Sequence, residues 1–466
     1  MRSFLIVLAL VLGSTTGLVA QDSAPTPPPL MQGVPVPAGA IAVIDGRLVT
    51  IREVVDAVYD RFRNHVQGQE TLNNLLQQRI ITHHLKARNI TVTKEQIQSK
   101  YDELDRQVRA ANEDKKTIAE YLEERKLSRQ QLEEQLYYFV GLHVMAQQDF
   151  EREEILPADH VQWIRSKTLD ADIERDPAKL PQDAAGRVYG EFVTRQDFAR
   201  ALVGHLPRDE VVTIVQSMMQ AILAENLLTS AGGTIRSSDA QEQWEGMRSR
   251  FENDPKFQGL SFEDFIRERE GMSREQHIAS SGFRREMCLN LLGPTLVPDA
   301  EVPKAYAADL DHYGPIYTLS HVLVRGSDQE KDRKLVRDMN AAKSEAEKIV
   351  AKLEKGESFD ACVKLYSEDA KTKFRGGEIG EYSPLMLDEQ GLRRQVEATP
   401  VGSHFGPVQD KLGYHVFLVA GKRPAPPLSP EITQDIRLRR ARDAFMSAWR
   451  DAKRGYDLRP IVNESR

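Results

Sequence analysis

The chain has 466 residues, 40% apolar and 29% charged, a balance that fits folded globular protein and excludes a disordered or fibrous one. That length is too great for one ordinary domain and points to roughly three. The formal charge of −7 is spread along the chain, which excludes a basic face for nucleic acid, and two cysteines, Cys288 and Cys362, are too few for a disulfide framework or a metal cluster.

The N-terminus sets the expected compartment. Arg2 is followed by an apolar run from Phe4 to Leu12, and Ala20 precedes Gln21. This is the pattern of a signal peptide over 1–20, with an apolar core too short to span a bilayer. No later run reaches the length of a membrane span, so an exported protein, periplasmic or extracellular, without stable membrane insertion is expected. Residues 21–39 hold Pro25, Pro27, Pro28, Pro29, Pro35 and Pro37 and read as a proline-rich tether.

Residues 40–150 read as a helical domain. Ala40 to Ile44, Asp45-Gly46 and Arg47 to Thr50 form a short hairpin signal. Thr50-Ile-Arg-Glu53 is a capping box, in which hydroxyl and carboxylate satisfy the free amides of a helix start. Val54, Val55, Val58, Phe62 and Val66 form one apolar face, and Leu72, Leu75, Leu76, Ile80 and Leu85 mark a second helix. Thr93 with Gln96, and Ser128 with Gln131, cap two more. Residues 151–184 read as a charged linker with a short helix.

Residues 185–296 repeat this plan. Gly190 to Thr194 matches Gly46 to Thr50 at an offset of 144, and Ser273 to Gln276 matches Ser128 to Gln131 at 145. Ser238-Asp-Ala-Gln241 takes the place of Thr93-Lys-Glu-Gln96 at 145. Near-constant offsets of cap residues imply an internal duplication.

A third region, residues 315–422, opens on Tyr317-Thr-Leu-Ser-His321-Val-Leu-Val and closes on Leu412-Gly-Tyr-His415-Val-Phe-Leu-Val. Between them lie an amphipathic helix (Ala342, Ala346, Ile349, Val350, Leu353) ending at Gly356, then Tyr366-Ser-Glu-Asp369 and Gly376-Gly-Glu-Ile-Gly380. Ser320 and His321 are adjacent on a strand and point to opposite faces, which argues against a serine-hydrolase pair. Residues 428–456 read as a last helix with Ile432, Ile436, Phe445 and Trp449 as a partial stripe.

The ordered set of His-Val-Leu-Val, Tyr-Ser, Gly-Gly-Glu-Ile-Gly and Gly-Tyr-His resembles the parvulin family of peptidyl-prolyl cis/trans isomerases. The helical regions resemble, less specifically, the N-terminal chaperone domain of SurA- and PrsA-type foldases. The resemblance implies a multidomain protein: mostly α-helical chaperone-like domains plus one α+β domain, an antiparallel sheet with helices. It implies His321, Asp369 and His415 as the catalytic group and Ile379, Met386 and Leu392 as the proline pocket, with no cofactor and no metal. The pocket departs from the family in lacking a Phe shortly after Met386, where Leu392 is the nearest apolar residue. The implied partners are unfolded or nascent exported proteins with X-Pro bonds. The alternative is a non-catalytic holdase whose parvulin domain has become a binding surface.

Overall fold

The computed structural model describes residues 34–112, 115–124, 128–204, 206–328 and 337–462, so the signal-peptide segment and most of the proline-rich tether lie outside the described residues. Two compact units result. The first runs up to Leu289 and includes the chain from Phe445 onward, and the second is Asn290–Ala444.

The first unit begins with strands β1 (Ala40–Ile44) and β2 (Arg47–Thr50). Asp45 and Gly46 both take positive φ, 46° and 85°, the tight hairpin turn that an Asp-Gly pair accommodates. The Thr50–Glu53 capping box forms and starts α1 (Ile51–Phe62), which buries Val54, Val55, Val58, Tyr59 and Phe62. Val66 does not join that face. It opens α2 (Val66–Ala87) and is 72% exposed, because the chain breaks between the two helices and rotates it away. Helices α3 (Lys94–Ala111), α4 (Ile118–Glu124) and α5 (Arg129–Phe150) enclose Leu104, Val108, Ile118, Leu122, Leu132 and Leu136.

The segment expected to link the copies supplies helix α6 (Pro157–Asp170) and the short strand β3 (Ile173–Glu174). The plan then recurs in β4 (Ala184–Val188), β5 (Glu191–Thr194), α7 (Arg195–Val203), α8 (Arg208–Ser230), α9 (Asp239–Glu252), α10 (Phe262–Glu270), α11 (Arg274–Ala279) and α12 (Ser281–Leu296). Tyr189 and Gly190 repeat the left-handed turn, at φ 52° and 77°. Both hairpins carry a register shift at matching positions, Ala40/Ala42 and Ala184/Gly186. Capping boxes form at Thr194 and Ser273 as at Thr50 and Ser128. Ser238 differs from Thr93: its backbone is already helical and its hydroxyl caps nothing. Asp239 takes over, its carboxylate accepting from the Arg236 amide at 2.6 Å.

The two copies share one core. Helix α2 packs on β4, β5 and α7 of the second copy, while α8 packs on β1, β2 and α1 of the first. A Cβ on Gly186 would stand 3.2 Å from Leu72 and 3.3 Å from Leu76, so the second sheet and α2 are in tight contact. Tyr59 meets Phe198 edge-on at 5.4 Å, and Arg195 bridges back to Asp56 at 2.9 Å. Each sheet gains a third strand from a different place: β3 pairs with β4, whereas Arg454–Tyr456 near the C-terminus pairs with β1. Asp209–Ser230 of α8 is long and apolar enough to cross a membrane by length and composition, a run the sequence reading passed over. In this fold Val211, Val215, Met219, Leu223 and Ala224 of that helix are buried.

In the second unit, short helices α13 (Val302–Ala308) and α14 (Leu310–Tyr313) precede β6 (Ile316–Arg325), α15 (Met339–Glu354), α16 (Phe359–Tyr366), β7 (Glu378–Tyr382), α17 (Pro384–Glu389), α18 (Arg393–Ala398), β8 (His404–Asp410), β9 (Gly413–Arg423) and the start of α19 (Pro430–Asp451). The sheet order is β7-β6-β9-β8, antiparallel throughout. Strand alternation divides its residues between two cores. Val322, Val324 and Val416 pack under α15 and α16 with Ala346, Ile349, Cys362 and Val363. Leu319, Phe417 and Val419 face the other way, onto Leu387, Leu392 and Val396. Cys288 and Cys362 are both free and buried, and burial pushes the Cys288 thiol up to about 11.

Two stability measurements follow from the shared core and a buried histidine pair. Leu76→Ala leaves a cavity between α2 and the second sheet, so it should cost about 2–5 kcal/mol by urea unfolding and weaken both copies together. His160 on α6 is 3% exposed, with its Nε2 3.2 Å from His143 Nδ1 on α5. Burial, aided by His143 and Lys100 and opposed by Asp159, pulls His160 from 6.5 down to about 4. A histidine lowered by folding stabilises fully above its unfolded value and loses that contribution as pH falls toward the folded one. The unfolding free energy from urea titration should therefore drop between those two values, by about 3 kcal/mol, and drop less in His160→Leu.

Candidate active site in the second unit

Strand pairing sets the site. Leu323 lies opposite His415 and His321 opposite Phe417, so both imidazoles stand diagonally on one face of the sheet. Their Nδ1 atoms are 2.9 Å apart, and each residue is 7% exposed. Phe417 stacks on His415 at 5.6 Å and on Phe405 at 5.1 Å.

The loop after α16 brings the carboxylate. Ser367 Oγ accepts from the Leu323 amide at 3.3 Å, and the Glu368 amide donates to Leu323 O at 2.8 Å, which fastens the loop to β6. Asp369 Oδ2 then sits 2.9 Å from His321 Nε2. Thr372, itself buried, donates its hydroxyl to the same carboxylate oxygen at 2.7 Å and lies 3.1 Å from His321 Nε2. The Lys371 amide binds the other oxygen at 3.0 Å. A carboxylate facing Nε2 requires that nitrogen to carry a proton, so His321 donates to Asp369. Gly377 does more than turn the chain. A Cβ there would meet His321 O at 2.4 Å, so glycine is needed for the close approach to β6.

The electrostatics agree with this geometry. Burial opposes the charge on Asp369, yet the Thr372 hydroxyl, the Lys371 amide and His321 hold its carboxyl at about 2. Burial pulls His321 below the ordinary imidazole range, and Asp369 opposes that pull.

His321, Asp369 and His415 therefore converge as expected. Ile379 and Leu392 lie in the apolar cluster that Phe417 joins to the histidines, with Leu392 inside it and Ile379 packed against it. Met386 does not. It is 45% exposed on α17, and the next residue, Leu387, is fully buried in that cluster. Adjacent residues on a helix point about 100° apart, so the apolar cluster takes one and turns the other to solvent. Thr372, Leu387, Asp410 and Phe417 were missed from sequence. Phe417 carried a signal, since it lies two residues after His415 and so shares its face. Thr372 sits in a turn and Asp410 is the last residue of β8, so no run of alternating residues marks the direction of either side chain.

Residues 321–421 match the family model described as Rotamase, a PPIC-type PPIASE domain. Foldase protein PrsA 4 of Bacillus cereus is 30% identical over 154 residues, 32% of this chain and 49% of that protein. Chaperone SurA of Pseudomonas syringae pv. syringae is 28% identical over 145 residues, 31% of either chain. A crystal structure of the peptidylprolyl isomerase PrsA from Bacillus cereus covers 57% of this chain and 87% of its own at 20% identity, with a TM-score of 0.30. The chain thus spans about half or less of the length of these curated relatives. Residues 321–421 are a parvulin-type domain of the PPIC kind. Over part of its length the chain is similar to the foldase PrsA and the chaperone SurA.

Removing the Thr372 hydroxyl tests the site's electrostatics. A carboxyl lowered by folding stabilises above its unfolded value and loses that as pH falls through the folded one. Asp369 should contribute about 2 kcal/mol above pH 3.8, lost toward about 2. Thr372→Val should raise the Asp369 carboxyl, seen by carbon NMR titration, and move that loss to higher pH.

Proposed function

We propose that this protein is an exported peptidyl-prolyl cis/trans isomerase and chaperone that assists the folding of secreted or envelope proteins. The observation that carries the reading is the line of Asp369, His321 and His415 beside the apolar cluster of Ile379, Leu387, Leu392 and Phe417.

Rotation of an X-Pro bond is opposed by amide resonance, a barrier of about 18–20 kcal/mol in peptides generally. Each tenfold acceleration asks for about 1.4 kcal/mol of preferential binding to the twisted amide. In this reading the proline ring would rest against the outer side of the apolar cluster, at Ile379. An ionised Asp369 beside the substrate carbonyl disfavours the planar amide, in which resonance puts negative charge on that oxygen. The twisted amide sheds that charge and is repelled less. The histidine pair and Thr372 fix the direction of the carboxylate, and no cofactor enters the step.

The helical unit takes the part of client holder in this reading. Its two copies, 40–150 and 185–296, act as one body because their long helices are exchanged. The signal-like segment 1–20 would deliver the chain to the periplasm or the cell exterior. Clients would be unfolded or nascent exported proteins with X-Pro bonds.

The full chain should accelerate cis/trans exchange of a proline peptide in an NMR exchange assay. Asp369→Ala should lower kcat/KM about tenfold or more, while suppression of client aggregation is unchanged. A wild-type chain that suppresses aggregation with exchange no faster than buffer would instead favour the holdase reading, which the aliphatic pocket supports.

A further inference from the structure

Strand β7 pairs with β6 only from Tyr317 to Ser320, while β6 runs on to Arg325. Beyond Ser320 that edge of β6 is closed by the loop after α16 instead of by a strand. The His321 amide donates to Gly377 O at 2.8 Å, the Leu323 amide to Ser367 Oγ at 3.3 Å, and the Glu368 amide to Leu323 O at 2.8 Å. Side chains make the next rung. The Arg325 amide donates to Glu368 Oε2 at 2.7 Å, and Arg325 O accepts from Arg337 Nη1 at 3.4 Å. Every backbone group on a strand edge needs a partner, and here an ion pair supplies both.

Arg337 and Glu368 are joined as a fork, Nη1 to Oε2 at 2.8 Å and Nη2 to Oε1 at 2.7 Å. Arg337 stands just before α15, and its carbonyl accepts from the Ser327 amide at 3.0 Å, so its backbone is also tied to the end of β6. Each side chain of the pair is 35% exposed. An ion pair so open to water adds little stability by charge alone, whereas two parallel bonds between planar groups fix direction. Glu368 adjoins Asp369, so holding one sets the course of the other. Lys371 and Thr372, which also bind the Asp369 carboxylate, belong to the same loop and move with it. The bond to His321 is the one that crosses from loop to strand, and a shifted loop would break it first.

We propose that Arg337 is a positioning residue, whose fork with Glu368 closes the open edge of β6 and keeps the Asp369 carboxylate aimed at His321 Nε2. Arg337 acts through Glu368 and touches neither histidine nor substrate. Lysine cannot replace it fully, since a single ammonium offers no planar pair of donors. The consequence for turnover rests on the isomerase reading, whereas the hold on the carboxylate does not.

The test follows the Asp369 carboxyl by carbon NMR titration in the full chain, with proline-peptide exchange read in parallel. Arg337→Ala and Glu368→Ala should both raise its midpoint above the wild-type value of about 2. Glu368→Ala separates geometry from charge. Removing an anion acts through space to lower a neighbouring carboxyl, whereas losing the His321 bond raises it. Asp410, an anion 3.0 Å from His415 Nε2 on the far side of the histidine pair, is the same in every variant. Glu368→Gln keeps an acceptor for the Arg325 amide and loses the fork, so its midpoint should fall between wild type and Glu368→Ala. The double alanine variant should go no further than Glu368→Ala, as expected of two residues acting as one unit. Should the alanine variants fail to fold, Arg337→Lys and Glu368→Gln carry the test with the same sign. A midpoint unmoved or lowered in the Glu368 variants overturns the proposal. With an active wild type, Arg337→Ala should lower kcat about tenfold and leave KM within about twofold, and an unchanged kcat overturns its role in turnover. A wild type no faster than buffer, or Asp369→Ala as fast as wild type, would sink the isomerase reading and leave the hold on the carboxylate to be decided by the titration.

Discussion

A single hydrogen bond, from His321 Nε2 to Asp369 Oδ2, organises the candidate site of the second unit. It joins a strand in the middle of the sheet to the loop after α16. The strand's place is fixed by pairing on both sides, with β7 and β9. The loop's place is fixed by Ser367 and Glu368, which bond the backbone of the same strand. The carboxylate is therefore preorganised rather than tethered, and its neighbours keep it ionised at the cost of partial burial.

The apolar side of the site depends on the same sheet. Phe417 is the hinge between the two chemistries, stacking on His415 at one edge and packing into the cluster of Leu387 and Leu392 at the other. A ring so placed covers one side of the imidazoles and gives the apolar cluster a rigid edge. An aliphatic floor is compatible with this arrangement, since the aromatic surface comes from β9 instead.

The helical unit is built on a different constraint. Each sheet is too small to bury its own face, and one long helix from each copy, α2 and α8, packs on the hairpin and first helix of the other. The first sheet even takes its third strand from Arg454–Tyr456, so that the end of the chain closes what its beginning opened. Such a core cannot be divided between the two copies, although their boundaries are plain in the sequence.

The turns, caps and strands were legible because their causes are local. Asp45-Gly46 predicts a left-handed turn, Thr50 and Glu53 predict each other, and alternation around His321 and His415 predicts a shared face. Ser238 shows the limit of the same rule, since a neighbouring carboxylate three residues from an amide can capture the cap. Met386 shows another: which of two neighbours on a short helix is buried is decided by the packing of the cluster and not by the residue type. The sequence by itself determined the recurrence of the hairpin and its caps, the family that the third region resembles, and the three polar residues that meet on its sheet. The exchange of long helices, the choice of Leu387, and the arrival of Thr372 and Asp410 beside the histidines were decided only by the tertiary structure. Their positions depend on partners far away in the chain or on the aim of a turn, and neither leaves a periodic trace.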